Sequence, residues 1–115
     1  MDKRQHGRYN VWFPVTLDVA GAQVWAVCHD ASSSGILVFC SSALALASEV
    51  AVRFRVVPEE AEERTIRGRV VRLESLEHQP REVWTHRMAI EFFEPIPELE
   101  GVLRRQSTRP PTSLP

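Results

Sequence analysis

Two segments of this 115-residue chain hold side chains of types and spacing that do specific chemistry. One is a pair of arginines four apart, Arg4 and Arg8; the other is the corner Asp30-Ala31-Ser32-Ser33-Ser34-Gly35. A guanidinium fork presents paired donors that suit phosphate oxygens, and the O6/N7 edge of guanine accepts the same fork. An ionised carboxylate at Asp30 accepts from the N1–H and exocyclic N2–H of guanine, a pairing adenine does not offer. Ser32 adds a small donor and acceptor, and Gly35 lets backbone approach a ligand or take a positive φ. Taken singly, each segment has an ordinary structural reading. Arginines near a terminus are usually solvated, and Asp, Ser and Gly in a turn usually cap backbone groups. Taken together they describe a guanine nucleotide with more than one phosphate.

Other chemistries are poorly served. His6, His29, His78 and His86 are scattered without a paired metal-ligand spacing, and there is no Cys-x-x-Cys. No nucleophile elbow of the Gly-x-Ser-x-Gly type is present, and Glu59-Glu60 and Glu62-Glu63 sit in a charge run that reads as a solvated loop. The expectation is a non-enzyme without metal or cofactor. Cys28 and Cys40 read as reduced, packed thiols rather than a disulfide framework. Fourteen Lys and Arg against 15 Asp and Glu leave a net charge of -1, so no global basic field is available for nucleic acid. No apolar run approaches the roughly 20 residues of a membrane span, and no secretion segment follows the basic start. The expected compartment is the cytoplasm, without membrane insertion.

These residues need a scaffold, and period-2 alternation from 11 to 93 supplies it. Val11, Phe13, Val15, Leu17 and Val19 share one strand face, with Pro14 marking an edge or an irregularity. Ala20-Gly21 turns the chain into Gln23–His29, with Val24, Ala26 and Cys28 inward and Trp25 on the other face. Ile36–Cys40 reads as a strand covered on both sides. Further runs follow at Val50–Val57, Arg64–Leu73 and Val83–Phe92. About six strand-like runs with turn signals between them are the mark of a barrel or sandwich. One helix is expected after Pro97, with Glu98 and Glu100 at its start, Arg104 and Arg105 at its end, and Leu99, Val102 and Leu103 on one face.

Arg4-x-x-x-Arg8 ahead of the first strand, followed roughly twenty residues on by Asp30-x-Ser32-x-x-Gly35, resembles the PilZ domain, the bacterial receptor for cyclic di-GMP. Gly68-Arg69-Val70-Val71 and Arg87-Met88-Ala89-Ile90-Glu91-Phe92 are similar to the family's closing strands. Ala89 stands where many members carry glycine, a departure expected to affect packing more than the ligand site. The resemblance covers residues 3 to 106. It implies an all-β fold: a six-stranded antiparallel β-barrel with a short C-terminal α-helix over 11–106. The arginine loop over 1–10, close to the start of the chain, is expected to be flexible until ligand orders it, and 107–115, with three prolines and almost no apolar mass, to be a disordered tail. The resemblance implies that Arg4 and Arg8 hold phosphate and the Hoogsteen edge of guanine, that Asp30 and Ser32 read a guanine, and that Gly35 permits close approach. Lys3 occupies a place that in the family influences whether one ligand or a stacked pair binds, and a basic residue there is compatible with the pair. His6 lies inside the first motif and reads as a solvated bystander, with stacking or phosphate contact as the alternative.

The expected function is a stand-alone cyclic di-GMP receptor and adaptor, read by a protein effector through surface contacts in processes such as motility. The competing expectation is a PilZ-like interaction module acting independently of nucleotide. A single-stranded RNA binder on a barrel surface is a third reading, disfavoured by the near-neutral charge. Trp12 and Trp25 could anchor an interface, but packing under the N-terminal loop or the helix is the expectation for both. Trp84 is read as core or rim.

Overall fold

The computed structural model describes residues 8–42, 44–76 and 84–107. Six strands appear in chain order: β1 (Phe13–Val19), β2 (Ala22–Ala31), β3 (Gly35–Cys40), β4 (Glu49–Phe54), β5 (Arg64–Ser75) and β6 (His86–Phe92). They close into an antiparallel barrel in the order β1-β2-β3-β6-β5-β4, and α1 (Pro97–Ser107) follows. Closure leaves no edge strand, because β1 pairs with β2 on one side and β4 on the other. The edge expected at Pro14 is only local. Pro14 pairs with Val27 of β2, and the β4 ladder begins one residue later, at Val15 opposite Phe54. The missing amide donor therefore falls where no β4 carbonyl needs it.

Alternation decides what fills the barrel. Phe13, Val15 and Leu17 of β1, Ala26 and Cys28 of β2, and Ile36, Val38 and Cys40 of β3 point inward and are buried. Val50, Val52 and Phe54, then Val70, then Met88, Ile90 and Phe92 complete the core from the other three strands. Both cysteines are free and buried, and burial pushes the Cys28 thiol up to about 12. The β1–β2 hairpin turns on Ala20 and Gly21, both at positive φ, the geometry whose twist matches the flanking strands. The expected cover over the outer face of β3 is incomplete: Leu37 and Phe39 are only half-buried. Among the described residues no second layer lies on them, and Phe39 is shielded by the rings of His29 and Trp12.

The helix forms where the sequence places it, with Glu98 and Glu100 at its positive end and Arg104 and Arg105 at its negative end. It buries Leu99 and Leu103 in the core cluster, and Val102 packs beside them. Ser107, expected to open the tail, still belongs to its last turn, and the rest of the tail lies outside the described residues. The arginine loop is likewise described only from Arg8 onward. Trp84 sits at the rim, half-buried.

Gly68 marks the tightest strand contact. A Cβ there would run into the carbonyl oxygen of Glu91 on β6, and backbone cannot step aside as a flexible side chain can. Gly68→Ala is expected to destabilise the barrel by about 1–3 kcal/mol, read as a lower thermal unfolding midpoint. An unchanged midpoint would show that β5 and β6 are not held at this separation.

Candidate functional site

The Asp30 corner is set by one extra residue. Along β2 the even-numbered positions Ala26 and Cys28 face the core, and unbroken alternation would carry Asp30 inward as well. The register instead shifts between Cys28, opposite Val38, and Asp30, opposite Leu37. His29 is the residue of the bulge, and past it Ala31 rather than Asp30 is buried. Leu37 faces outward, so Asp30 does too. A second bulge works the same way in β5: Val70 pairs with Ile90, Arg72 with Ala89, and Val71 is the extra residue. Arg72 is thereby placed on the same outer surface.

Arg8 is brought to the corner by its neighbour. Tyr9 makes two backbone hydrogen bonds with Ala31, at 2.8 and 2.9 Å, and its hydroxyl donates to Glu100 Oε2 of α1 at 2.6 Å. The chain is thus pinned one residue past Arg8, between the end of β2 and the helix. From there Arg8 Nη2 lies 3.0 Å from Asp30 Oδ1. The pair is met by charge and distance rather than by an aligned hydrogen bond, since that buried oxygen accepts from no donor. A buried carboxylate oxygen without a directed partner is an acceptor held ready for one.

The three serines close the corner. Ser32 N donates to Gly35 O at 2.9 Å, and Ser32 Oγ accepts from Ser34 N at 3.1 Å, so the buried Ser32 caps the turn. Ser33 O accepts from Ile96 N at 2.7 Å and Ser34 O from Phe92 N at 2.9 Å, tying the turn to β6 and to the segment entering α1. Gly35 does not take a positive φ. Its role is close approach to backbone: a Cβ would sit 2.6 Å from Ile90 O.

A cavity of about 240 Å³ opens beside this corner, lined by Arg8, Ser32, Ser34, Gly35, Arg72 and Ala89 among others. Of the residues singled out by the motifs, Arg8, Ser32 and Gly35 line it and Asp30 adjoins it through its ion pair with Arg8, while Arg4, Lys3 and His6 lie outside the described residues. Ala89, paired between Leu37 and Arg72, faces outward and is among the residues lining the cavity. Ser34 and Arg72 were missed by sequence reasoning. Arg72 is one of many arginines in an alternating strand, and only the bulge at Val71 turns it toward the cavity. Its nearest carboxylate, Glu74, is 3.9 Å away and already accepts from Arg87 Nε at 2.9 Å, so Arg72 is weakly engaged.

Residues 2–114 match the PilZ domain, and the chain belongs to that family. Curated proteins give no match by sequence. Among solved structures it is similar to the Bacillus subtilis inhibitor of motility MotI/DgrA, with TM-score 0.70 and 19% identity, over 96% of this chain and 54% of that one. The chain therefore spans about half the length of the Bacillus protein. It is also similar to the PilZ domain of YcgR from Escherichia coli with c-di-GMP, with TM-score 0.66 and 13% identity, over 92% of this chain and 89% of that one. The PilZ domain of CeSA from a cellulose-synthesizing bacterium superposes with TM-score 0.59 and 20% identity, over 88% and 94% of the two chains. Among the described residues no group of three or more His, Cys, Asp and Glu side chains could hold a metal ion, and no helix is long and apolar enough to cross a membrane.

His29 reports on this corner. Its ring stacks on Phe39 at 4.3 Å, and its pKa is lowered by burial and by the charges of Arg87 and Arg8, against the opposing pull of Asp30. The unfolded chain therefore binds this proton more readily than the folded one. The resulting stability is complete above about pH 6.5 and is lost as pH falls toward the lower folded value. The thermal midpoint is expected to decline on acidification from about pH 6.5, and less steeply in His29→Phe. Parallel profiles for the two proteins would exclude His29 as the titrating group.

Proposed function

We propose that this chain is a receptor for cyclic di-GMP whose occupancy is read by a protein partner. The observation that carries the reading is the Arg8–Asp30 pair, whose arginine lines the cavity: one fork and one buried acceptor, joined by charge without an aligned hydrogen bond among the described residues. Family membership and the likeness to a ligand-bound PilZ domain support the same ligand. Cyclic di-GMP exchanges the partners. Arg8 turns from Asp30 to a phosphate or to the O6/N7 edge of a guanine, and Asp30 accepts N1–H and N2–H of a guanine. Arg4, four residues ahead, joins the phosphates as the arginine segment becomes ordered over the cavity. Arg72, on the far side of β6, supplies a third cation.

Magnitudes favour the exchange. A partly exposed ion pair is worth about 0–1 kcal/mol, whereas each charge-assisted hydrogen bond to ligand contributes about 1.5–3 kcal/mol. Ordering the arginine segment costs about 1–2 kcal/mol per residue, so binding needs both motifs at once. Nothing in this sequence of events makes or breaks a covalent bond: the chain acts by binding, and its output is a changed surface.

Arg8→Ala and Asp30→Ala are each expected to weaken cyclic di-GMP binding at least tenfold by calorimetry, equivalent to about 1.4 kcal/mol. Asp30→Ala should also erase the preference for cyclic di-GMP over cyclic di-AMP, because only guanine offers the N1–H and N2–H donors. Unchanged affinity in both variants would leave the interaction-module reading, independent of nucleotide, in its place. Arg72→Ala is expected to weaken binding severalfold and to flatten its salt dependence, since it removes one cation from the site. Affinity and salt slope both equal to wild type would place Arg72 outside the site.

A further inference from the structure

Two tryptophans that the sequence placed under cover stand in the open, Trp12 at 59% and Trp25 at 69% exposure. Both line an open groove of about 490 Å³ on the β1 side of the barrel. Trp12, just ahead of β1, also packs against two rings that lead away from that groove. Its indole lies 5.6 Å from the His29 ring and 6.1 Å from Phe39, and His29 stacks on Phe39 at 4.3 Å. The three side chains form an aromatic ridge on the outside of the barrel, and Trp12 is its most open member.

Strand register joins this ridge to the nucleotide cavity. Asp30, Leu37, Ala89 and Arg72 form one row across β2, β3, β6 and β5, and Val27, Phe39, Arg87 and Glu74 form the next. Leu37 lines the cavity, and Phe39 stands two residues along the same face of β3, about 7 Å away. His29 is the bulge residue beside Asp30. The ridge therefore begins one row from the cavity. Size carries the ligand beyond the cavity. At about 240 Å³ it lies below the roughly 300–1,000 Å³ of sites that enclose a drug-sized ligand, and cyclic di-GMP holds two nucleotides. One base is accommodated beside Asp30; the other lies on a neighbouring surface.

The two neighbouring surfaces differ. On the β5 side the Arg69 guanidinium lies 5.1 Å over the Phe93 ring, so that ring is already covered by a cation. On the β2 side the ridge presents an open indole. Among the described residues, the buried polar side-chain atoms without a partner are Asp30 Oδ1 and His29 Nε2, and both stand at this end of the cavity. We propose that the guanine not read by Asp30 stacks on the ridge, against Trp12 and His29. The inference rests on the cyclic di-GMP reading and adds a second base position to it. Selectivity is thereby split. Asp30 demands the N1–H and N2–H of guanine, whereas aromatic side chains hold a base by its face, which every base has. A hybrid cyclic GMP-AMP, with one base of each kind, satisfies both positions; cyclic di-AMP satisfies only the ridge.

Calorimetric titration of the full chain with cyclic di-GMP separates stacking from packing. Trp12→Leu keeps an apolar cover over Phe39 without a flat face, and should weaken binding about tenfold, as Trp12→Ala does. Trp12→Phe keeps a flat face and should bind close to wild type. Trp25→Ala, on the groove alone, should leave affinity unchanged. The hybrid dinucleotide should bind wild type within about tenfold of cyclic di-GMP, and cyclic di-AMP far more weakly. Wild-type affinity in Trp12→Leu, an equal loss in Trp25→Ala, or a hybrid that binds no better than cyclic di-AMP overturns the stacking position. The receptor reading survives any of these so long as binding still depends on Arg8 and Asp30. A wild-type chain that does not bind cyclic di-GMP at all removes both.

Discussion

Strict two-sidedness of a closed barrel governs the rest of this structure. With no edge to escape through, each strand residue faces either a dry core or the outside, and one inserted residue exchanges the two fates for everything beyond it. Two such insertions, at His29 and Val71, occur beside the residues of the candidate site. Without the first, the Asp30 carboxylate would point into a core of Val38, Met88 and Ile90, at a desolvation penalty of several kcal/mol. With it, the carboxylate stands beside Arg8. The bulges give up ladder regularity in exchange for side chains aimed outward.

The Ser32-Ser33-Ser34 connection does comparable work with backbone. It joins two strands, accepts from β6 and from the segment entering α1, and satisfies the Ser34 amide with the Ser32 hydroxyl and the Ser32 amide with the Gly35 carbonyl. Tyr9 adds the N-terminal chain to the same junction through Ala31 and Glu100. Four separate parts of the polypeptide therefore meet within a few residues of the cavity.

The aromatic ridge runs from that junction toward the open groove. His29 stacks on Phe39, Phe39 on Trp12, and Trp12 forms one wall where Trp25 forms another. Exposed indoles of this size are costly to leave in water, about 25 cal/mol for each Å² of apolar surface.

Alternation alone was enough to settle the strand count, the inward set from Phe13 to Leu17 and from Ile36 to Cys40, and the helix over Leu99 and Leu103, because periodicity is a local property of the chain. The spacing of Arg4, Arg8, Asp30, Ser32 and Gly35 carried the family, because both motifs stand in order and at their separation within one stretch of chain. Convergence itself was not local. Which way Asp30 faces depends on how many residues β3 sets against β2, Arg72 joins the cavity through pairing with a strand fourteen or more residues later, and Ala89 becomes a wall only when both its neighbours are in place. Trp12 and Trp25 are exposed because they stand outside the closed barrel, on the face away from its core. Register and closure are sums over distant pairs, and no window of sequence contains them.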